Sequence, residues 1–389
     1  MIKLVRQNLP IKLMLLILMV SIFGVHVSAD IKSFSLALSL SMKEGLVFVL
    51  PVIIFSFLFS SFSKFSGNIV LFVTALLGVV CVSNFTSTMV GYGIAFLWMP
   101  DFSATVGQMG GKELLPLWSL ALPKYISNEW ALFSGFFAGV VASGCGNKRL
   151  IAWSEKLKNL SNLFLNKVFV PLVPIFILGF IFKMEYEGSL RVVLTSYSSV
   201  LGVLILVYIV YLFMLYFIGC GFNLQKSITA IRNALPAGLM GFSTMSSAAS
   251  MPLTFRAGER NTGNEKLVKV VTPTTASIHL VGDSIGVPLI ALTILLAFGY
   301  PFPGISEYLV FVLYFILAKF AISAVPGGGM VVMLPYIQKY LGFNDPMLAL
   351  IMAIYLLFDP IFTSVNVMGN NAFLIIFNKL MGKKISKPE

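Results

Sequence analysis

Apolar runs of roughly 20 residues, the length a helix needs to cross a bilayer core, recur along this chain between short polar stretches. They predict spans at residues 13–29, 46–62, 69–97, 131–142, 164–182 and 192–218, and a last one at 347–377. Residues 183–191 are short and polar, as in a tight turn between two spans. Two further apolar segments are interrupted. Residues 235–257 are broken by the serine-rich stretch from Ser246 and Ser247 to Ser250 and Pro252, and residues 309–336 by Ala324, Val325, Pro326 and Gly327–329. Proline removes a backbone donor and glycine relaxes the chain, so each predicts two half-helices meeting at a non-helical tip. Such backbone is tolerated at membrane depth only where protein buries it or where it lines a cavity.

Polar positions inside apolar runs then mark a site. Asp359, Thr363, Asn366 and Asn370 are spaced i, i+4, i+7 and i+11 within the last span, a narrow stripe on one helix face. A carboxylate and two amides are costly against lipid, so the stripe faces protein, water or a ligand. His279 and Asp283, i and i+4 in a polar segment that leads into the span at 287–298, predict a second shared face.

Composition agrees with an all-α polytopic membrane protein: 58% of residues are hydrophobic and 11% charged. Cys81, Cys145 and Cys220 are scattered without metal-ligand spacing, and His26 and His279 are the two histidines, so no metal site or cofactor is expected. The net charge of +12 is expected to set orientation and meet anionic lipid rather than nucleic acid. Most of the 27 lysines and arginines fall at the N-terminus, at residues 64, 148–167, 226–232 and 256–269, and in the tail. With N- and C-termini cytoplasmic, those stretches share one side, as the positive-inside rule requires of a multi-pass protein of the inner (plasma) membrane. Residues 13–29 are read as a retained first helix in preference to a cleaved signal peptide.

Three ordered motifs carry a resemblance. Ser246 to Pro252, Val325 to Gly329, and Asp359 with Thr363, Asn366, Val367 and Gly369 resemble the two hairpin tips and last-helix motif of the dicarboxylate/amino acid:cation symporter family, which includes the glutamate transporters. The resemblance implies eight transmembrane helices plus two re-entrant hairpins in inverted repeats, assembled as a homotrimer. It divides the chain into scaffold helices 1–2 (residues 1–65) and 4–5 (99–189), and a transport domain of helix 3 (66–98) and residues 190–389 that slides as an elevator. Substrate-binding positions would be Ser246, Ser247, Val325, Pro326, Gly327, Asp359, Thr363 and Asn366. Asp359 would pair with a substrate amino group, while the first tip, Ser247 and Asn366 hold its carboxylate. Ion coupling would involve Ser277, His279, Asp283, Asn366 and Asn370.

The departures bear on the coupling ion. The family's Asn-Met-Asp-Gly-Thr appears as His279, Leu280, Val281, Gly282 and Asp283, so Val281 replaces a sodium-binding carboxylate and Asn370 a second one. A backbone-lined sodium site at Ser277 to Leu280 and the second tip remains, and Asp283 offers an acid that could carry a proton. The coupling cation is therefore H+ or Na+, with H+ favoured. Phe362 stands where members that take acidic substrates have an arginine, which leaves both an amino acid and a dicarboxylate as the solute.

Lys319 is a candidate structural partner for Asp359, and His279 a helix-packing hydrogen bonder. Asp283 and Asp359 together suggest a membrane aspartyl protease, but the Tyr-Asp and Gly-x-Gly-Asp signatures are missing. A substrate-gated channel or a non-transporting sensor could use the same fold. The expectation is an importer of a small carboxylate-bearing solute, not an enzyme.

Overall fold

The computed structural model describes residues 9–63, 70–98, 113–123, 125–188, 190–322 and 328–385. Among them the secondary structure is helical, as the apolar runs require: α1 (Leu9–Phe23), α2 (Ala29–Phe62), α3 (Val70–Trp98), α4 (Asn128–Cys145), α5 (Lys148–Phe164), α6 (Val170–Tyr186) and α7 (Leu190–Gly219). There follow α8 (Leu224–Thr244), α9 (Ser247–Thr262), α10 (Glu265–Thr275), α11 (Val281–Ala297), α12 (Ile305–Lys319), α13 (Gly328–Leu341) and α14 (Asp345–Ile385). Among the described residues, five rods are long and apolar enough to cross a membrane. One of them is α5 continued into α6 through a single π turn at Leu165–Phe169, so the basic stretch at 148–167 is helix and not loop.

Several boundaries differ from the sequence reading for identifiable reasons. The second helix begins at Ala29, well before the apolar run at residue 46. Ser35, Ser39 and Ser41 donate to the carbonyls of Ile31, Ser35 and Ala37 one turn back, which satisfies them within the helix and lets it extend through a polar stretch. In the first hairpin the break is shorter than expected. Met245 takes a left-handed conformation (φ +51°) and Ser246 caps α9 by accepting from the Ala249 N–H at 3.2 Å, so Pro252 lies inside the second arm. Residues 226–232 belong to α8, whose first turn is capped by Asn223. The stretch at 256–269 is helical too, apart from the turn at Gly263 and Asn264. The positions of Lys3, Arg6, Lys64 and Lys387 lie outside the described residues.

Packing falls into two sets. In the first, α2 lies against α4, α5 and α6, and α1 against α6. Buried hydroxyls join α2 to α5, Ser56 with Ser161 at 2.7 Å and Ser63 with Ser154 at 2.8 Å, and Lys32 pairs with Glu185 of α6 at 2.6 Å. In the second, α14 is the central post, contacting α7, α8, α9 and α11, while α3 packs on α11 and α12 on α13. Between the sets run contacts of α14 with α1 and α6, and the ion pairs Lys43–Asp345 (2.7 Å) and Lys339–Glu129 (2.6 Å).

Candidate functional site

The polar stripe of α14 faces inward. Asp359, Thr363 and Asn366 line one cavity with Tyr355, which stands one turn before Asp359 on the same face. Ser247 and Met245 close it from the first hairpin, Ser277 and Leu280 from the gap between α10 and α11, Asp283 from the first turn of α11, and Ile322 and Gly329 from the second hairpin. Asp359 accepts a hydrogen bond from Thr363 at 3.2 Å.

Asp283 is buried and held from two sides. Tyr355 donates its hydroxyl to one carboxylate oxygen at 2.7 Å, and the Asn366 amide donates to the other at 2.5 Å. Asn366 turns its own carbonyl to the Gly282 N–H at 2.7 Å, so one side chain ties α14 to two successive residues of α11. The Gly282 carbonyl in turn accepts from Tyr208 of α7 at 2.7 Å. No side chain fits at position 282, because a Cβ there would lie 2.6 Å from the Phe362 carbonyl oxygen and 3.1 Å from Asn366 Oδ1. Gly282→Ala must push α11 off α14, at about 1–3 kcal/mol of stability by the usual cost of overpacking. A fall in the thermal unfolding midpoint of the purified variant checks this.

His279 and Asp283 do not share a face. The chain leaves the helix between Thr275 and Val281, so the i, i+4 relation read from sequence does not hold. His279 sits in the gap, buried, with Nε2 at 2.8 Å from Ser83 Oγ of α3 and Nδ1 at 3.0 Å from Asn370 Oδ1 of α14. Asn370 is thus the end of the stripe that meets His279, and neither residue lines the cavity. The gap is filled from α3 by Asn84, which donates to the Ile278 carbonyl (2.8 Å) and accepts from the Leu280 N–H (3.3 Å).

The remaining expected residues are placed as follows. Ser246 caps α9 beside the cavity without lining it, whereas Ser247 does line it. Val325, Pro326 and Gly327 lie outside the described residues. Lys319, a candidate partner for Asp359, instead donates to Ser284 Oγ of α11. Phe362 is buried among Tyr208, Tyr355 and Phe358.

Three helices begin at this cavity: α9 through Ser247, α11 through Asp283 and α13 through Gly329. Helix N-termini carry unpaired N–H groups and the positive end of the macrodipole, and therefore favour negative charge. The site can thus hold an anionic group near the hairpin tips and a cationic one at Asp359. Sequence reasoning missed Tyr355, Asn84 and Tyr208. The first two carried a signal, since Tyr355 continues the stripe one turn back and Asn84 lies in a polar run (Ser83 to Thr88) inside an apolar helix. Tyr208, in the apolar α7, carried none.

The family model described as "Sodium:dicarboxylate symporter family" matches residues 9–380. Over 136 residues, 35% of this chain and 23% of the relative, the sequence is 32% identical to Excitatory amino acid transporter 2 of Homo sapiens. Over 187 residues it is 29% identical to the Proton/sodium-glutamate symport protein of Geobacillus stearothermophilus, covering 46% of this chain and 43% of that one. The chain therefore spans less than half the length of the curated relatives it matches.

Proposed function

The chain belongs to the sodium:dicarboxylate symporter family, and from that membership we propose that it is a secondary active importer of a small carboxylate-bearing solute, coupled to a cation gradient. The observation that carries the reading is the cavity in which Asp359, Thr363 and Asn366 of one helix meet Ser247 and three helix N-termini. Ser247 and the first turn of α9 receive the solute carboxylate, with Asn366 assisting. Asp359 takes its amino group, and Thr363 holds the Asp359 carboxylate in place.

An amino acid is favoured over a dicarboxylate because an acid, Asp359, faces the cavity, while position 362 supplies a buried phenyl ring and no guanidinium. The coupling cation is H+ ahead of Na+, since Val281 and Asn370 supply no carboxylate and Asp283 is the acid remaining beside the solute. The two packing sets support a scaffold (residues 1–65 and 99–189) and a sliding transport domain (66–98 and 190–389). In such a cycle the ion pairs Lys43–Asp345 and Lys339–Glu129 break and re-form. The homotrimer would assemble through the scaffold in the plasma membrane, with both termini cytoplasmic.

A binding panel tests the solute class. Purified protein is heated with glutamate, aspartate, alanine, succinate or fumarate, and the unfolding midpoint is followed. At least one amino acid is expected to raise the midpoint more than its amine-free counterpart. Equal or greater stabilisation by the dicarboxylates would give the site to them.

A further inference from the structure

A lysine with no part in the solute site is enclosed in the protein interior. Lys319 is the last residue of α12, the first arm of the second hairpin, and it is fully buried. Its ammonium donates to Ser284 Oγ and lies 4.4 Å from the centre of the Phe315 ring. The Ser284 hydroxyl donates to the Leu280 carbonyl at 2.7 Å, which leaves its lone pairs for the lysine. The seat is thus the Ser284 hydroxyl in the first turn of α11 and the face of the Phe315 ring.

Asp283 precedes Ser284 in that first turn. Its two oxygens are bonded to a phenol and an amide, neutral donors that satisfy hydrogen bonds without balancing charge. Because Lys319 donates to the residue that follows Asp283, its charge lies in the first turn of α11 beside that carboxylate, with the Cys81 thiol and the His279 ring the other titratable groups that face it. An unbalanced charge is poorly tolerated at this depth, and each of the two supplies what the other lacks.

The second arm of the same hairpin closes on the same group. Gly329 comes so near that a Cβ there would lie 2.8 Å from the Tyr355 hydroxyl and 3.7 Å from Asp283 Oδ1. Both arms therefore rest on Asp283 and its partners, one bringing a cation and the other bare backbone.

We propose that Lys319 is a tethered cation that latches the second hairpin shut: it supplies the positive charge beside Asp283 from within the chain, so closure there needs no sodium ion from solution. The proposal rests on the transporter reading for its meaning, because a latch on a hairpin over the cavity controls access to it. Its test does not depend on transport.

Ile322 lines the cavity three residues past Lys319. Ile322→Cys is made in a full chain whose Cys81, Cys145 and Cys220 are changed to Ser, and its reaction rate with a charged thiol reagent reports hairpin opening. Lys319→Met is expected to raise that rate about tenfold, and Lys319→Met with Asp283→Asn to return it to the starting value. Lys319→Arg stays slow, and replacing sodium by choline leaves the parent protein slow. An unchanged rate in Lys319→Met overturns the proposal, as does a rate that stays high in the double variant or a parent protein that needs sodium to stay closed. If Lys319→Met fails to fold, a folded and slow double variant supports charge balance, and failure of both overturns it. Absence of solute accumulation by the parent protein would instead count against the transporter reading alone.

Discussion

Asp359→Asn is expected to reduce uptake of the amino acid solute by at least about 100-fold at low solute concentration, the scale of losing one partner of a buried charge pair. The substitution is isosteric, and its carbonyl oxygen can still accept from Thr363, so the local geometry of α14 is retained. What is lost is the negative charge that an ammonium group would meet in the cavity, where the other acid, Asp283, has both carboxylate oxygens taken up by Tyr355 and Asn366. Initial rates of labelled uptake into proteoliposomes check this, with the unfolding midpoint measured alongside to show that the fold persists. An uptake rate within a few-fold of the parent would move the amino-group contact away from Asp359.

Asn366→Ala is expected to act on both stability and binding. One amide serves the Gly282 N–H, the Asp283 carboxylate and, in the proposed role, the solute. Removing it leaves two buried groups each short of a partner, at about 1–3 kcal/mol apiece and more for the charged one. The unfolding midpoint should therefore fall further than in Gly282→Ala, and solute should no longer raise it. Asn366→Gln keeps the functional groups but lengthens the reach between α14 and α11, and it should not restore either property. A variant as stable as the parent would show that Asn366 does not join the two helices in the folded protein.

Most of the architecture was legible because membrane-length helices write themselves as apolar runs. The stripe on α14 was equally clear, since the spacing of Asp359, Thr363 and Asn366 is a property of one unbroken helix and the chain keeps that helix intact. The same reasoning misled at His279 and Asp283, where the helix is broken. Periodicity relates side chains only while the backbone remains helical, and nothing in the polar segment before Asp283 states where it stops. Asn84 explains why it can stop there, by satisfying backbone groups of Ile278 and Leu280 from a helix distant in sequence. Partnerships of that kind, like Lys319 with Ser284, are set by tertiary packing and have no local signature. The early start of α2 was missed for the opposite reason, since its serines look like a loop and instead bond back within the helix.

Coupled import is tested most directly by accumulation of the solute chosen by the binding panel in proteoliposomes under an H+ or a Na+ gradient imposed separately. An internal concentration above the external one is expected with H+ alone, with collapse when the gradient is dissipated and loss in Asp359→Asn. Entry that only equalises the two concentrations under either gradient, or no entry at all, would contradict it.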